Sequence, residues 1–227
     1  MKDFNFLDVI SNYFTKKQIK KIIKTKILII GCGGLGSNIA NILIRTGYKK
    51  IILVDYDKVE FRNLNRQQYT FSDIGKEKVY ILKENLLKIN PSADILPINQ
   101  CLNNESLVKI IKKYKPDIIV EAVDKVASKI MIFETALKMK KYVITASGVA
   151  GFGDIENIKI IRKKNYTIIG DLISACGCCD ECYPKDNKEC NSRKTLIRKG
   201  KCKMPLAPKV TIIAAMQADE VLRKTLL

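Results

Sequence analysis

The sequence predicts an α/β protein of Rossmann-like type: a doubly wound, mostly parallel sheet with an antiparallel extension and a cysteine-rich insertion. Three observations lead there. Short apolar runs of strand length alternate with helical patterns from Lys26 to Ala146, the rhythm of parallel strands covered by helices on both faces. A glycine-rich loop, Gly31-Cys32-Gly33-Gly34-Leu35-Gly36, leaves the first run and opens the first of those helices. Beyond Gly153 the alternation stops, and a paired-strand pattern and a cluster of cysteines follow.

Residues 1–25 read as a helical or mixed lead-in, with Leu7, Ile10, Phe14, Ile19, Ile22 and Ile23 as apolar positions. A strand is expected over 26–31 and a helix over 34–46, ended by Gly47. The next strand covers 51–55 and a polar loop 57–72. A helix over 75–89 stops at Asn90-Pro91, because the residue before proline avoids helical geometry. Strand 93–99, helix 104–113, strand 117–122, helix 126–139 and strand 142–146 continue the series. Residues 156–162 and 166–169 read as an antiparallel pair about Lys163-Lys164-Asn165, 174–203 as the cysteine-rich insertion, and 207–226 as a long closing helix. With no repeat and no linker, the expectation is one domain over 1–227.

Composition excludes several function classes. The chain has 227 residues, 47% hydrophobic and 28% charged, which suits a packed core. No run approaches the roughly 18 apolar residues of a membrane span. The lead-in lacks a compact apolar stretch before a cleavage site, so no secretory signal and a cytoplasmic location are expected. There is no histidine, so histidine triads, histidine general bases and histidine metal ligands are excluded. The net charge of +18 invites anionic partners. Lysine is abundant throughout, however, and few aromatics interleave with it, which disfavours nucleic acid.

The glycine loop carries the clearest chemistry. Gly31, Gly33, Gly34 and Gly36 permit a tight turn, close approach of phosphate to backbone and close helix–strand contact, while the helix N-terminus offers unpaired amides. Asp55 ends the second strand, where a carboxylate accepts ribose hydroxyls. Together they indicate a bound nucleotide without choosing between a dinucleotide and ATP.

The residues that follow narrow the choice. Asp55-Tyr56-Asp57, then Asn63-Leu64-Asn65-Arg66-Gln67, then Gly75-Lys76-Glu77-Lys78, and Val-Glu-Ala-Val-Asp ending at Asp124, occur in order. This set resembles the ThiF/MoeB/HesA family, bacterial relatives of ubiquitin-activating enzymes, from about Lys26 to Gly153 and again over 204–226. Val120–Asp124 and Ala146–Gly151 are most like the short ThiF-like sulfur carrier protein adenylyltransferases. The resemblance implies ATP- and magnesium-dependent adenylation of the C-terminal glycine carboxylate of a small ubiquitin-like sulfur carrier ending in Gly-Gly. It implies Arg66 and Lys78 on the β- and γ-phosphates, Asn63 and Gln67 orienting nearby groups, Asp55 and Asp57 in the nucleotide site, and Asp124 on magnesium. A homodimer is implied too, supported by the surplus of apolar positions Ile212, Ile213, Met216 and Val221 on the last helix. The sequence departs from the family at Arg62 and Lys125, where a small polar residue and asparagine are usual. It also lacks an arginine before Arg45, so lysines 16–24 would have to replace an N-terminal arginine.

Six cysteines fall between Cys176 and Cys202. Without a secretory signal, metal binding is a better reading than disulfides. Cys179 and Cys182 can chelate one zinc, with Cys176 or Cys178 and Cys190 or Cys202 completing four thiolates; Cys176, Cys179, Cys182 and Cys190 are the assigned set. Reactive or unpaired thiols are the competing reading, and no iron–sulfur spacing is recognisable. Cys202, flanked by Lys201 and Lys203 and shortly before Ala207-Pro208, sits where the resemblance implies a sulfur-handling cysteine receiving sulfur from a donor. Cys32 and Cys101 read as packing residues. The competing functions are a tRNA threonylcarbamoyladenosine dehydratase-like enzyme, a non-catalytic nucleotide-binding scaffold and an NAD dehydrogenase.

Overall fold

The computed structural model describes residues 6–153, 155–174 and 205–227. Two short helices, α1 (Phe6–Ile10) and α2 (Lys16–Lys24), precede β1 (Lys26–Ile30), α3 (Gly34–Arg45) and β2 (Lys50–Asp55). The chain continues through α4 (Lys78–Ile89), β3 (Asp94–Asn99), α5 (Asn104–Tyr114), β4 (Ile118–Glu121), α6 (Val126–Lys138) and β5 (Tyr142–Ala146). Two further strands, β6 (Lys159–Arg162) and β7 (Tyr166–Gly170), precede the closing helix α7 (Ala207–Leu226). One seven-stranded sheet has the order β3-β2-β1-β4-β5-β7-β6. Every pair is parallel except β6 with β7, so the antiparallel extension is an edge hairpin whose inner strand joins β5 in parallel.

The side chains of β1 explain the two layers. Ile27 and Ile29 face one core, with Ile39 and Leu43 of α3, Leu82 of α4 and Ile213 of α7. Leu28 and Ile30 face the other, with Leu107 and Ile110 of α5 and Ile132 of α6. Strands buried on both faces need continuous apolar sequence, which is why Ile27–Ile30 and Ile118–Val120 contain no polar residue. Pro97 in β3 is tolerated because β3 is an edge strand.

Three expectations are corrected. The helix expected from Gly75 begins at Lys78: Gly75 adopts φ +86°, its N–H donates to the Val59 carbonyl, and Lys58 bridges to Glu77. A turn therefore occupies residues 75–77. Cys101 is exposed and so is not a packing residue, whereas Cys32 is fully buried. Three of the four surplus apolar positions on α7 have intramolecular partners, and Ile212 is half-buried outside that core. Ile213 and Val221 are fully buried, and Met216 packs on the same core, because α7 covers α3, β5 and β7 together. Those three give no support to a dimer. The six clustered cysteines lie outside the described residues.

At the far end of α7, buried Glu220 accepts from Arg162 Nε at 2.9 Å, Arg223 Nη2 at 2.6 Å and Thr167 Oγ1 at 3.0 Å. Burial alone would raise its pKa, but the two guanidinium groups and the hydroxyl outweigh it and hold the carboxyl at about 2. Breaking such a buried pair typically costs about 3–5 kcal/mol, so Glu220→Ala should be that much less stable at neutral pH. A depressed carboxyl stabilises above its unfolded pKa and stops doing so as pH falls through its folded value. Urea midpoints of the two proteins should therefore converge between pH 4.5 and about 2. A gap that persists unchanged at the acid end would show that packing, not charge, makes the contribution.

Candidate nucleotide site

The site lies where the C-terminal ends of β1, β2 and β4 meet the start of α3. Gly31 adopts φ +96°, and a Cβ there would stand 2.6 Å from the Ala122 carbonyl oxygen. A Cβ on Gly36 would stand 1.7 Å from the Gly31 carbonyl oxygen, so only glycine lets the helix close against the loop. Gly33 is different. Its φ is −80°, and the nearest atom to a Cβ there is the Gln67 Nε2 at 3.7 Å. No neighbour demands glycine at 33, and the cradle it leaves open fits the close approach of a phosphate. Gly33 also caps α3 without a side chain, leaving the first-turn amides to such a ligand.

Asp55 joins the loop to β2. One carboxylate oxygen accepts from Cys32 N at 2.6 Å and the other from Asp57 N at 2.9 Å. Burial raises its pKa; Lys78 and the two amides oppose that only in part. Buried Tyr69 donates to the Cys32 carbonyl at 2.7 Å, holding the loop from below. Lys78, the first residue of α4, places its ammonium 2.9 Å from Asp57 Oδ2, and its side chain is 6% exposed against 51% for Asp57.

Arg66 lies across the opening of α3: a Cβ on Gly34 would sit 3.6 Å from its Cγ and Cδ. Its Nη1 donates to the Arg62 carbonyl at 3.1 Å and Asn65 Oδ1 at 2.8 Å, and its own carbonyl accepts from Asn38 Nδ2 at 3.0 Å. Asn63 is buried and accepts from Glu60 N at 2.9 Å, so it shapes the loop that carries Arg66. Gln67 is buried beside Gly33, and its Oε1 has no hydrogen-bond partner among the described residues. Asp124 is exposed at the end of the turn after β4. Lys125 beside it is held charged chiefly by the Tyr56 hydroxyl, with Asp124 and Asp57 adding to the effect. Arg62 pairs with Glu60.

Sequence reasoning missed the support under Asp124. Glu121 is fully buried and accepts from Lys129 Nζ at 2.9 Å, Val123 N at 2.8 Å and Thr145 Oγ1. Lys129 also donates to the Ala146 carbonyl at 3.2 Å. This network ties the turn 122–124 to α6 and β5. Its one sequence signal is a carboxylate ending the apolar run Ile118–Val120. A second buried pair, Lys209 with Asp171 at 2.6 Å, joins the start of α7 to the segment after β7. Asp171 is held well below the usual carboxylate range because that ammonium, the Ser174 hydroxyl and two backbone amides outweigh its burial.

Among the described residues no three acidic, cysteine or histidine side chains converge on a metal. Magnesium commonly takes one or two carboxylates together with phosphate oxygens, so exposed Asp124, which shares the neighbour Lys125 with Asp57, fits that ion. No helix among the described residues is long and apolar enough to cross a membrane.

A glycine loop that a Cβ would obstruct, a carboxylate ending β2 and two cations at its mouth together make a candidate nucleotide site on a fold of Rossmann-like architecture. The chain belongs to the ThiF family, whose profile matches residues 8–226. It is 37% identical over 123 residues to a probable molybdopterin-synthase adenylyltransferase of Porphyra purpurea, a match covering 54% of this chain and 32% of that protein. It is 32% identical over 135 residues to the sulfur carrier protein ThiS adenylyltransferase of Escherichia coli, covering 59% and 53%. These matches thus span about a third to a half of the relatives' own lengths. The ATP complex of E. coli tRNA N6-threonylcarbamoyladenosine dehydratase has a similar fold, with TM-score 0.76 and 16% identity, covering 96% of this chain and 92% of that one.

Proposed function

We propose that this protein uses ATP to adenylate the C-terminal glycine carboxylate of a small ubiquitin-like sulfur carrier, in thiamine thiazole biosynthesis. The observation that carries the reading is the meeting of the open Gly33 cradle, Asp55, Arg66 and Lys78 at one end of the sheet. A carboxylate is already ionised at neutral pH, so its oxygen attacks the α-phosphorus without a general base, and the α–β phosphoanhydride bond breaks to release pyrophosphate. The chain's contribution is position and charge. Asp55 accepts the ribose hydroxyls, the first-turn amides of α3 meet phosphate oxygens, and Lys78 and Arg66 meet the departing pyrophosphate. Asp124 would hold magnesium, which supplies further positive charge at the phosphates.

Exposed apolar residues on the same rim suit a protein acceptor. Phe61, Val126, Phe152 and Ile173 are each more than half exposed, in segments that leave the C-terminal ends of β2, β4, β5 and β7. The likeness to tRNA threonylcarbamoyladenosine dehydratase over 96% of the chain favours a second reading, in which the adenylated acceptor is a modified tRNA.

Exchange of labelled pyrophosphate into ATP separates the two. Stimulation by a carrier ending in Gly-Gly, and not by tRNA, is expected. Stimulation by tRNA alone would select the second reading, and no exchange with either would leave a nucleotide-binding scaffold. A homodimer belongs to this proposal by resemblance, as do zinc in the cysteine segment and sulfur handling by Cys202. Sedimentation, metal analysis and sulfur transfer by Cys202→Ser test them in turn.

A further inference from the structure

Part of the charge of +18 is lined up on one rim of the sheet. Strands β2, β1, β4, β5 and β7 lie side by side and parallel, so all five start on the rim opposite the glycine loop. Lys49, Lys26, Lys115, Lys140 and Lys164 each lie at, or within three residues before, the start of one of these strands. Lys26 is partly tied down through the Tyr114 carbonyl at 2.7 Å; Lys115, Lys140 and Lys164 are exposed. Strands about 4.8 Å apart make this a line of roughly 19 Å.

Lysines in the last turns of α5, α6 and α7 lie near the same rim, but the helix macrodipole accounts for those. The same dipole also favours Lys26, Lys115 and Lys140, which cap or directly follow the ends of α2, α5 and α6, whereas Lys49 lies three residues beyond the α3 cap and Lys164 in the β6–β7 hairpin, away from any helix end. Carboxylates on the rim offset the line only in part: exposed Asp94 opens β3 opposite Lys50, and exposed Asp117 precedes β4. Asp117 accepts the Lys26 amide at 2.8 Å, Glu134 pairs with Lys138, and Glu220 is buried between two arginines. The site rim is mixed, with Asp55, Asp57, Glu60 and Asp124 beside Arg62, Arg66, Lys78 and Lys125.

We propose that this lysine rim binds the phosphodiester backbone of a nucleic acid, on the face away from the nucleotide site. A line of single-sign charge matches a run of backbone phosphates better than a compact anion. Protein interfaces enclose an apolar centre, and membrane-surface helices bury apolar side chains; nucleic-acid interfaces are polar and strongly positive. The large apolar side chains at the five strand starts are buried or half-buried. Exposed Tyr13 stands three residues past Ile10, which packs on Gly47 just before the β2 start, and offers a ring on which a base can stack.

The probe is fluorescent oligouridylate of about 20 nucleotides, longer than the rim, with oligothymidylate to separate RNA from DNA. Anisotropy is followed against salt for the full chain and for Lys115→Glu/Lys140→Glu/Lys164→Glu. Wild type should bind, and the variant should lose at least tenfold in affinity. The slope of log affinity against log salt should become shallower by about 2, at roughly 0.7 for each phosphate that is no longer neutralised. The matching triple arginine variant should retain binding, and thermal melting should show both variants folded. Unchanged affinity in the glutamate variant overturns the proposal, as does tighter wild-type binding to polyglutamate or to phosphatidylserine vesicles. Pyrophosphate exchange by the glutamate variant stays unchanged, so this result stands apart from the adenylation reading.

Discussion

Lys78→Ala is expected to reduce pyrophosphate exchange by about 100- to 1,000-fold, the usual cost of removing one preorganised donor from developing charge. The pairing at Asp57 makes this an effect on chemistry more than on folding. Lys78 is nearly inaccessible, whereas Asp57 is half exposed. Losing the ammonium leaves a hydrated carboxylate and not a buried unpaired charge, so the stability cost is the lost packing of the lysine stem, about 0.5–3 kcal/mol. Single-turnover formation of AMP from ATP and a parallel thermal melt separate the two effects. Lys78→Arg should restore little, because a planar guanidinium does not enter the space of a buried ammonium. Near-normal exchange by Lys78→Ala would remove Lys78 from the site.

The second large effect is at the loop itself. In Gly36→Ala the new methyl would stand 1.7 Å from the Gly31 carbonyl oxygen, and Gly31 is itself confined by the Ala122 carbonyl. Backbone must move on one side or the other. The cost should reach the upper end of the roughly 1–3 kcal/mol typical of overpacking, with nucleotide binding lost as the loop shifts. Gly33→Ala is the informative partner. Its methyl meets nothing closer than 3.7 Å in the protein, so the stability cost should stay within the roughly 1–3 kcal/mol of an unfavoured backbone angle, while ATP affinity should fall at least tenfold because the cradle is filled. Calorimetry with ATP on both variants, beside denaturation curves, checks the contrast. Equal ATP affinity in Gly33→Ala and wild type would place the phosphates elsewhere.

Much of this was legible in residue order. The alternation of apolar strand runs with helical periods, the glycine loop and the carboxylate after β2 are all patterns within about 30 residues, where backbone geometry and burial act directly on residue choice. They determined the alternating core of the sheet, the location of the glycine loop and membership of the ThiF family. They misplaced the start of α4, because a glycine turn at Gly75 and a bridge from Lys58 to Glu77 look helical until their partners are seen.

Tertiary structure decided what depends on distant partners. Glu121, Lys129 and Thr145 become one buried network only when β4, α6 and β5 meet, and nothing local marks Lys129 as anything but a surface lysine. The apolar surplus on α7 reads as an interface in sequence and, for Ile213, Met216 and Val221, as packing against α3 and the sheet in the fold. Scattered lysines become a line only because parallel connectivity brings strand starts from residues 26 to 166 to one rim. Periodicity reports whether a side chain is buried, but the identity of its neighbours depends on chain crossings that join segments far apart in sequence.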